Sequence, residues 1–302
     1  MYNPQLETFI KVADAGSFNR AALALYITAP AVIKQINLLE QTVGVPLFER
    51  TNRGLTLTPA GESFYRDAKA IIRLCEEAVE RARRSARQHE AVVRVGTSPM
   101  TPIQSLQELW PLVHPLVPDI SFTIVPFENT PENAREILRG LGNKIDVVSG
   151  VYDDAFLEER RCAALRIEEA PLRLAVSISH PLARKEMLSL EDLSTEKIMV
   201  IHRGWNACID KLRDDLCLRY PQIHLLEFEF FSLEVFNRCE KERALIVTID
   251  RWHMLHPMLK TMPVAWDYTV PYGFLHAPKP SATVSRFLGA VEQVVEEQRG
   301  KG

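Results

Sequence analysis

Signatures of catalysis are missing from this chain of 302 residues. It has no GxSxG nucleophile elbow, no GxxxxGK[ST] phosphate loop and no GxGxxG dinucleotide turn. Cysteine is scarce, with five residues and no CxxC pair. An odd, scattered set argues against a disulfide framework and points to a reduced, cytoplasmic setting. No apolar run approaches the roughly 18 residues that a membrane-spanning helix requires. The opening MYNPQLETFIKVAD lacks the basic start and apolar stretch of a secretory signal. There is no internal repeat and no low-complexity segment. A net charge of −3 is also too slight and of the wrong sign for a protein that coats nucleic acid.

What is present is an ordinary globular composition, 46% hydrophobic and 25% charged, long enough for two or three domains. The charge is unevenly spread. The first 90 residues hold 12 Lys and Arg against 10 Asp and Glu, and the remainder holds 24 against 29. A slightly basic head on an acidic body suits contact with phosphate through a small patch.

Residues 18–58, FNRAALALYITAPAVIKQINLLEQTVGVPLFERTNRGLTLT, are the most informative stretch. A first helix is expected from Pro4 to Ala15, with Leu6, Phe9, Ile10 and Ala13 on one face and Gly16 as its stop. Ser17 reads as an N-cap for a short helix from Phe18 to about Leu25. Thr28 reads as the cap of the next helix, from Ala29 or Pro30 to Val43, whose buried stripe is Val32, Ile36 and Leu39. Gly44 stops it. Leu47–Arg50 and Leu55–Thr58 then read as short strands around Thr51-Asn52-Arg53-Gly54, where Asn and Gly suit a tight turn. Two short helices with a tight break followed by a small hairpin form a winged helix-turn-helix, and that architecture points to DNA.

Thr58-Pro59 opens a long helix expected to reach about Gln88, roughly 45 Å at 1.5 Å per residue. Phe64, Ala68, Ile71, Cys75, Ala78 and Ala82 recur in heptad spacing, while Arg81, Arg83, Arg84 and Arg87 occupy other faces. Such a helix predicts pairing with a second copy. From Val92 onward, strands alternate with helices, which implies an α/β domain with a mostly parallel sheet. The expected strands are Val92–Gly96, Ile120–Val125, Ile145–Ser149, Leu172–Ile178, Ile198–Ile201, His224–Phe230, Leu245–Ile249 and Tyr268–Leu275. The expected helices run to about Leu116 and over Glu132–Leu141, Leu190–Leu193, Asn206–Leu218, Leu233–Lys241 and Ser281–Gln298. Two such α/β units would enclose a hinged cleft at the C-terminal ends of their strands.

With these residues in place, the whole chain resembles the LysR-type transcriptional regulators. Leu39-Glu40, Val43-Gly44, Leu47-Phe48 and Arg50 match that family's LE-x2-LG-x2-LF-x-R phrase, and Thr58-Pro59-Ala60-Gly61 follows at the expected distance. Ser179-His180-Pro181-Leu182-Ala183 resembles its His-Pro-Leu segment. Three places depart from the pattern. Thr28-Ala29-Pro30 stands where Ser-Gln-Pro is usual, Ile33 replaces a serine, and Glu242-Arg243-Ala244 replaces a Gly-x-Gly region. The resemblance implies an all-α winged helix-turn-helix over 1–58 (the helix-turn-helix itself about 18–37) and a dimerising linker helix over 59–89. It implies an α/β effector domain over 90–302 resembling type 2 periplasmic binding proteins. Lobe 1 would be about 91–165 with 266–302, and lobe 2 about 166–265. It further implies a homodimer or homotetramer on an interrupted palindromic operator in double-stranded DNA, no enzymatic activity, no cofactor and no membrane contact.

The candidate DNA contacts are Thr28, Ala31, Lys34 and Gln35 on the recognition helix, since Lys can reach guanine or phosphate and Gln can pair with adenine. Ser17, Asn19 and Arg20 sit where the preceding helix meets the backbone. Arg50, Asn52 and Arg53 sit in and around the wing. The implied effector between the lobes would meet residues that follow strands: Thr97, Ser98, Met100 and Thr101; Asn129 and Thr130; Gly150 and Val151; His202, Arg203, Gly204 and Trp205; and Thr248. Hydroxyls and free N–H groups before a helix suit an anion. Arg203 is placed to clamp one, and Trp205 to stack on an aromatic ring. Cys208 and Cys217 resemble in spacing the cysteines of peroxide-sensing members, which keeps redox sensing as an alternative. On an intact helix, however, nine residues separate them by about 13 Å. A solute-binding protein without DNA function is the further alternative. His253 and His256, three apart, lack a third metal ligand and read as surface histidines.

Overall fold

The computed structural model describes residues 3–51, 54–86 and 91–300, and the chain divides into two compact units, Met1–Gln88 and His89–Gly302. The first unit is built from α1 (Pro4–Ala15), α2 (Phe18–Leu25), α3 (Ala29–Val43), the hairpin β1 (Phe48–Thr51) and β2 (Gly54–Leu57), and α4 (Pro59–Ala86). Helix ends here follow local chemistry. Asn3 caps α1 through Gln5 N, and Thr28 caps α3 through Ala31 N. Thr58 Oγ1 accepts from Gly61 N at 3.0 Å to start α4. Ser17 occupies the cap position of α2, but its side chain makes no capping bond.

Phe9, fully buried, is the centre of this unit's core. It meets Phe48 and Phe64 at ring distances of 5.3 Å each and Tyr65 at 6.4 Å. The hairpin and α4 are thereby fastened to one side chain of α1. A Cβ on Gly61 would lie 2.1 Å from the Leu47 carbonyl oxygen, so only glycine lets α4 start this close to the hairpin. The heptad seam of α4 divides in two. Phe64 and Ala68 pack into the head core, whereas Ile71 is 40% exposed and the neighbouring Leu74 is 53% exposed. The tip residues Asn52 and Arg53, and the expected helix end at Arg87 and Gln88, lie outside the described residues.

The second unit contains β3 (Ala91–Thr97), α5 (Gln104–Val113), β4 (Ile120–Pro126), α6 (Pro131–Arg139), β5 (Val147–Val151), α7 (Asp154–Arg160) and β6 (Ala163–Ser177). It continues with β7 (Lys197–Ile201), α8 (Ala207–Arg219), β8 (His224–Phe228), α9 (Leu233–Glu242), β9 (Leu245–Ile249), β10 (Leu259–Met262), β11 (Thr269–His276) and α10 (Ala282–Arg299). The sheet order is β4-β3-β5-β11-β6-β9-β7-β8, with β10 also paired to β6.

The alternation of strands and helices predicts a mostly parallel sheet, and the sheet is mixed. β3, β4 and β5 pair in parallel, as do β7, β8 and β9, while β6 and β11 pair antiparallel to their neighbours. Parallel pairing needs a crossover between strands. β6 instead runs straight out of the first lobe into the second, and β11 runs back. The first half of β6 pairs with β11 and its second half with β9 and β10, so these two strands are the connection between lobes. Gly273 sits at a register shift there, where a Cβ would be 2.0 Å from Leu165 O. The strand expected at Leu172 begins nine residues earlier, at Ala163, and α7 and β10 have no counterpart among the expected elements. The helix expected to reach Leu116 tightens after Val113 into a single 3-10 turn, where Pro115 has no N–H to continue the α ladder. Two clusters flank the first lobe's strands, one under α5 and α10 and the other under α6 and α7, and a third fills the second lobe.

Candidate functional site

In the head, α2 and α3 are bent by 106° across a short break, within the range of a helix-turn-helix. The joint is Tyr26, in a left-handed conformation at φ 55° and 95% exposed. Asn19, Arg20, Thr28 and Lys34 are exposed, and Ser17, Ala31 and Gln35 are half-buried. Gln35 flanks the buried stripe Val32–Ile36–Leu39, and its Oε1 accepts from the Thr8 hydroxyl of α1. That bond orients the amide, whose N–H groups can still face a base. Arg50 lies in β1.

In the second unit, a cavity of about 410 Å³ lies between the lobes. Of the effector candidates, Met100, Thr101, Asn129, Gly150, Val151, His202 and Trp205 line it, while Thr97, Ser98, Thr130, Arg203 and Gly204 do not. Thr248 lines a small adjoining slot. The polar candidates are largely spoken for by the protein. Ser98 and Thr101 pair through their hydroxyls at 2.8 Å and through their backbones, and Thr97 Oγ1 donates to Thr101 O at 3.2 Å. Thr130 caps α6. Arg203 is exposed on the surface and pairs with Asp214, each carboxylate oxygen taking one guanidinium nitrogen. That carboxylate holds the guanidinium in its charged form, and the anion clamp expected of Arg203 is already closed on a protein group.

Several bonds cross between the lobes around this cavity. Asn129 Nδ2 donates to Phe231 O at 2.8 Å, and Trp252 Nε1 to Met100 O at 3.0 Å. Asn206 Nδ2 donates to Tyr152 O at 3.3 Å, and Ala207 N to Asp153 Oδ2 at 2.8 Å. Behind the cleft, Arg251 grips Glu168 of β6 through Nε at 2.7 Å and Nη2 at 3.0 Å, and also pairs with Glu108 of α5.

Comparison with known proteins agrees with this geometry. Residues 4–62 match the family profile described as bacterial regulatory helix-turn-helix protein, lysR family. The head is thus a lysR-family helix-turn-helix domain. Among curated relatives, the regulator BudR of Raoultella terrigena is 33% identical over 63% of this chain and 63% of its own length. The Hca operon transcriptional activator HcaR of Escherichia coli K12 is 32% identical over 62% of this chain and 61% of its own length. The alignments thus span just under two thirds of these relatives. The crystal structure of CbnR, a LysR family transcriptional regulator, shares the fold with a TM-score of 0.70 at 22% identity, over 98% of this chain and 99% of that one. CbnR has also been solved in complex with its target DNA.

In the cleft, sequence reasoning missed most of the wall. Phe127, Phe156, Phe230, Phe231 and Trp252 join Trp205 as six aromatic rings around the cavity, with Arg135 and Arg160 as cations and Glu229 as an acid. Phe231 is the hub, with ring distances of 5.2 Å to Trp205 and 4.7 Å to Trp252. Arg160 stacks on Phe156 at 4.2 Å. The run Phe228-Glu229-Phe230-Phe231 at a strand end was a usable signal for this wall.

Cys208 and Cys217 sit on the continuous helix α8, and burial pushes the Cys208 thiol up, the reverse of an activated sulfur. His253 Nδ1 bonds Asp250 O and His256 Nε2 bonds Asn237 Oδ1. Among the described residues no group of three or more potential metal ligands occurs, and no single helix is long and apolar enough to cross a membrane.

Proposed function

We propose that this protein is a cytoplasmic, DNA-binding transcriptional regulator of the lysR family without enzymatic activity, tuned by a small anionic effector held between its lobes. The observation that carries the reading is the head: two helices at 106° with the capped start of α3 and the cations Arg20 and Lys34 exposed beside it. An exposed helix N-terminus with free cations suits the phosphate backbone and the major groove. The regulators named above and the DNA complex of CbnR support the same reading.

The assembly is a homodimer or homotetramer on an interrupted palindrome. Ile71 and Leu74 on α4 support this, being apolar and exposed on the single chain. Thr28, Ala31, Lys34 and the Gln35 amide face the groove. Ser17, Asn19 and Arg20 hold the backbone, and Arg50, Asn52 and Arg53 act at the wing. In the body, Thr101, Asn129, Gly150, Val151, His202 and Trp205 contact the effector. The exposed cation Arg135 favours an anion, while Arg160 in the same lining already pairs with Glu159. The effector acts only through unequal affinity for two lobe arrangements.

The deciding experiment is a gel shift on duplex DNA from upstream of the protein's own gene, repeated across a salt series. A shift that weakens steeply with salt is expected. No shift at any salt on this or random duplex overturns the DNA reading, and calorimetric uptake of neutral or cationic ligands alone overturns the anionic effector.

A further inference from the structure

A short link, residues 44–47, joins the recognition helix α3 to the first strand of the wing. The root of that strand is held from two sides. Thr58, just before α4, holds one side: its hydroxyl donates to Pro46 O at 2.8 Å and its N–H donates to Leu47 O at 3.0 Å. Glu40 of α3 holds the other. Its Oε1 accepts from Leu47 N at 2.6 Å and from Phe48 N at 3.1 Å. Leu47 is fully buried, and a buried N–H needs a partner within the fold.

Glu40 is poorly placed for α3 itself. It lies in the last turn of the helix, where the macrodipole disfavours negative charge. It also brings a negative charge into the unit proposed to meet DNA. Neither circumstance calls for an acid at this position, whereas the two bonds to the hairpin do. They join the helix proposed to enter the groove directly to the strand that carries Arg50.

We infer that Glu40 is a positioning residue for DNA binding: it fixes the wing to the recognition helix, so that Arg50, Asn52 and Arg53 reach phosphate while α3 lies in the groove. The inference rests on the DNA reading proposed above. Two contacts carried on one rigid frame are made together. A wing with a loose root must instead be ordered each time the protein binds, and that ordering is lost from the affinity.

The test uses full-length E40Q, E40A, R53A and the double variant E40A/R53A. Each is titrated by fluorescence anisotropy against the duplex from upstream of the protein's own gene, across a salt series. Gln and Ala both suit a helix interior and both remove the same negative charge, so comparing them isolates the bonds. Gln keeps an Oε1 with two lone pairs, enough for both N–H groups. E40Q should therefore bind as tightly as the wild type or more tightly. E40A should bind about tenfold more weakly than E40Q, with the slope of log K against log salt lower by about 0.9 for each wing phosphate lost. R53A should weaken the wild type about three- to tenfold and change E40A less than about twofold, because two residues acting through one contact are not additive.

A head that has only lost stability behaves differently. Measured well below its melting temperature, it keeps the wild-type salt slope, and R53A weakens it as much as it weakens the wild type. That result overturns the role of Glu40, and so does equal binding by E40A and E40Q. If R53A leaves the affinity and slope of the wild type unchanged, the inference fails and the DNA reading of α3 stands. No binding by the wild type at any salt overturns the DNA reading and this inference together.

Discussion

Head and body use polar side chains in opposite ways. In the head, Asn19, Arg20, Thr28 and Lys34 are exposed, and neither Arg20 nor Lys34 enters an ion pair among the described residues. In the body, the polar groups at the strand ends are mostly bonded to the protein itself: Ser98 to Thr101, Asn129 to Phe231 O and Arg203 to Asp214. What remains open around the cleft is largely aromatic surface. A polyanion with a regular lattice of charges is met well by solvated cations, whose attraction is long-ranged and screened by salt. A small molecule is distinguished by shape and by a few bonds in a low-dielectric site, where each bond counts for more. The contrast assigns charge to one unit and packing to the other.

The harshest way to break the comparison is to remove the ring that organises the head. Phe9→Ala leaves Phe48, Phe64 and Tyr65 around a void, and such truncations cost about 3–5 kcal/mol. Because head and body have separate cores, calorimetry should show the head's transition falling sharply while the body's stays in place. DNA binding should disappear with the head. A common shift of both transitions would falsify their independence.

Next in size is the body's own charged joint. Arg251 is held between Glu168 and Glu108, with a guanidinium whose charged form is strengthened first by the Glu168 bonds and opposed by burial. Its side chain is 18% exposed, but Glu108 is 48% and Glu168 35% exposed, so Arg251→Met leaves two partly solvated carboxylates short of a partner. A loss of about 1 kcal/mol is expected in the body's urea unfolding, since solvent screens the half-exposed carboxylates, with the head's transition unchanged. A neutral or stabilising result would mean that desolvation had already cancelled the pair.

The same contrast explains what could be read from the sequence. The bounds of α1, α2 and α3 were legible because their signals are local: Thr28 as a cap, Gly16 and Gly44 as stops, and a buried stripe every three or four residues. The cleft was half legible. Rules about strand ends pointed to Met100, Thr101, Asn129, Gly150, Val151, His202 and Trp205, all in the lining. They failed on Arg203, whose partner Asp214 lies 11 residues away on the next helix, and they could not reach Arg135, Arg160 or Trp252, which enter from separate elements. α7 was missed because its cap, Asp153, is followed by only seven helical residues, too few for periodicity to speak. The mixed sheet was missed because alternation of strands and helices does not reveal which strand changes lobe.

A smaller effect sharpens the charge side. Lys34→Ala removes an exposed cation from α3 without touching the core stripe. If Lys34 meets a phosphate, the variant should bind about three- to tenfold more weakly to all duplexes alike, and the slope of log K against log salt should fall by about 0.9. A weakening confined to one base pair of the operator, with an unchanged slope, would instead make Lys34 a base reader.

The smallest expected effect is no effect, and it concerns the body's thiols. Burial pushes Cys162 up to about 11 and Cys239 up to about 12, and Cys208 is raised for the same reason. A raised value favours the neutral thiol, so at pH 8 the reactive thiolate is about one part in a thousand for Cys162 and about one in ten thousand for Cys239. Cys217 is exposed. Iodoacetamide on the native protein should therefore label Cys217 first and leave Cys162 and Cys239 until the fold is opened. Joining Cys208 to Cys217 would require unwinding α8, since a disulfide tolerates a Cα separation of only about 7 Å. Peroxide at moderate dose should leave the gel shift unchanged. If it instead abolishes DNA binding, and a dithiol reductant restores it in the wild type but has nothing to restore in Cys208→Ala, then the body senses oxidation. The division between a charged head and a body that answers only to a ligand packed in its cleft would then not hold.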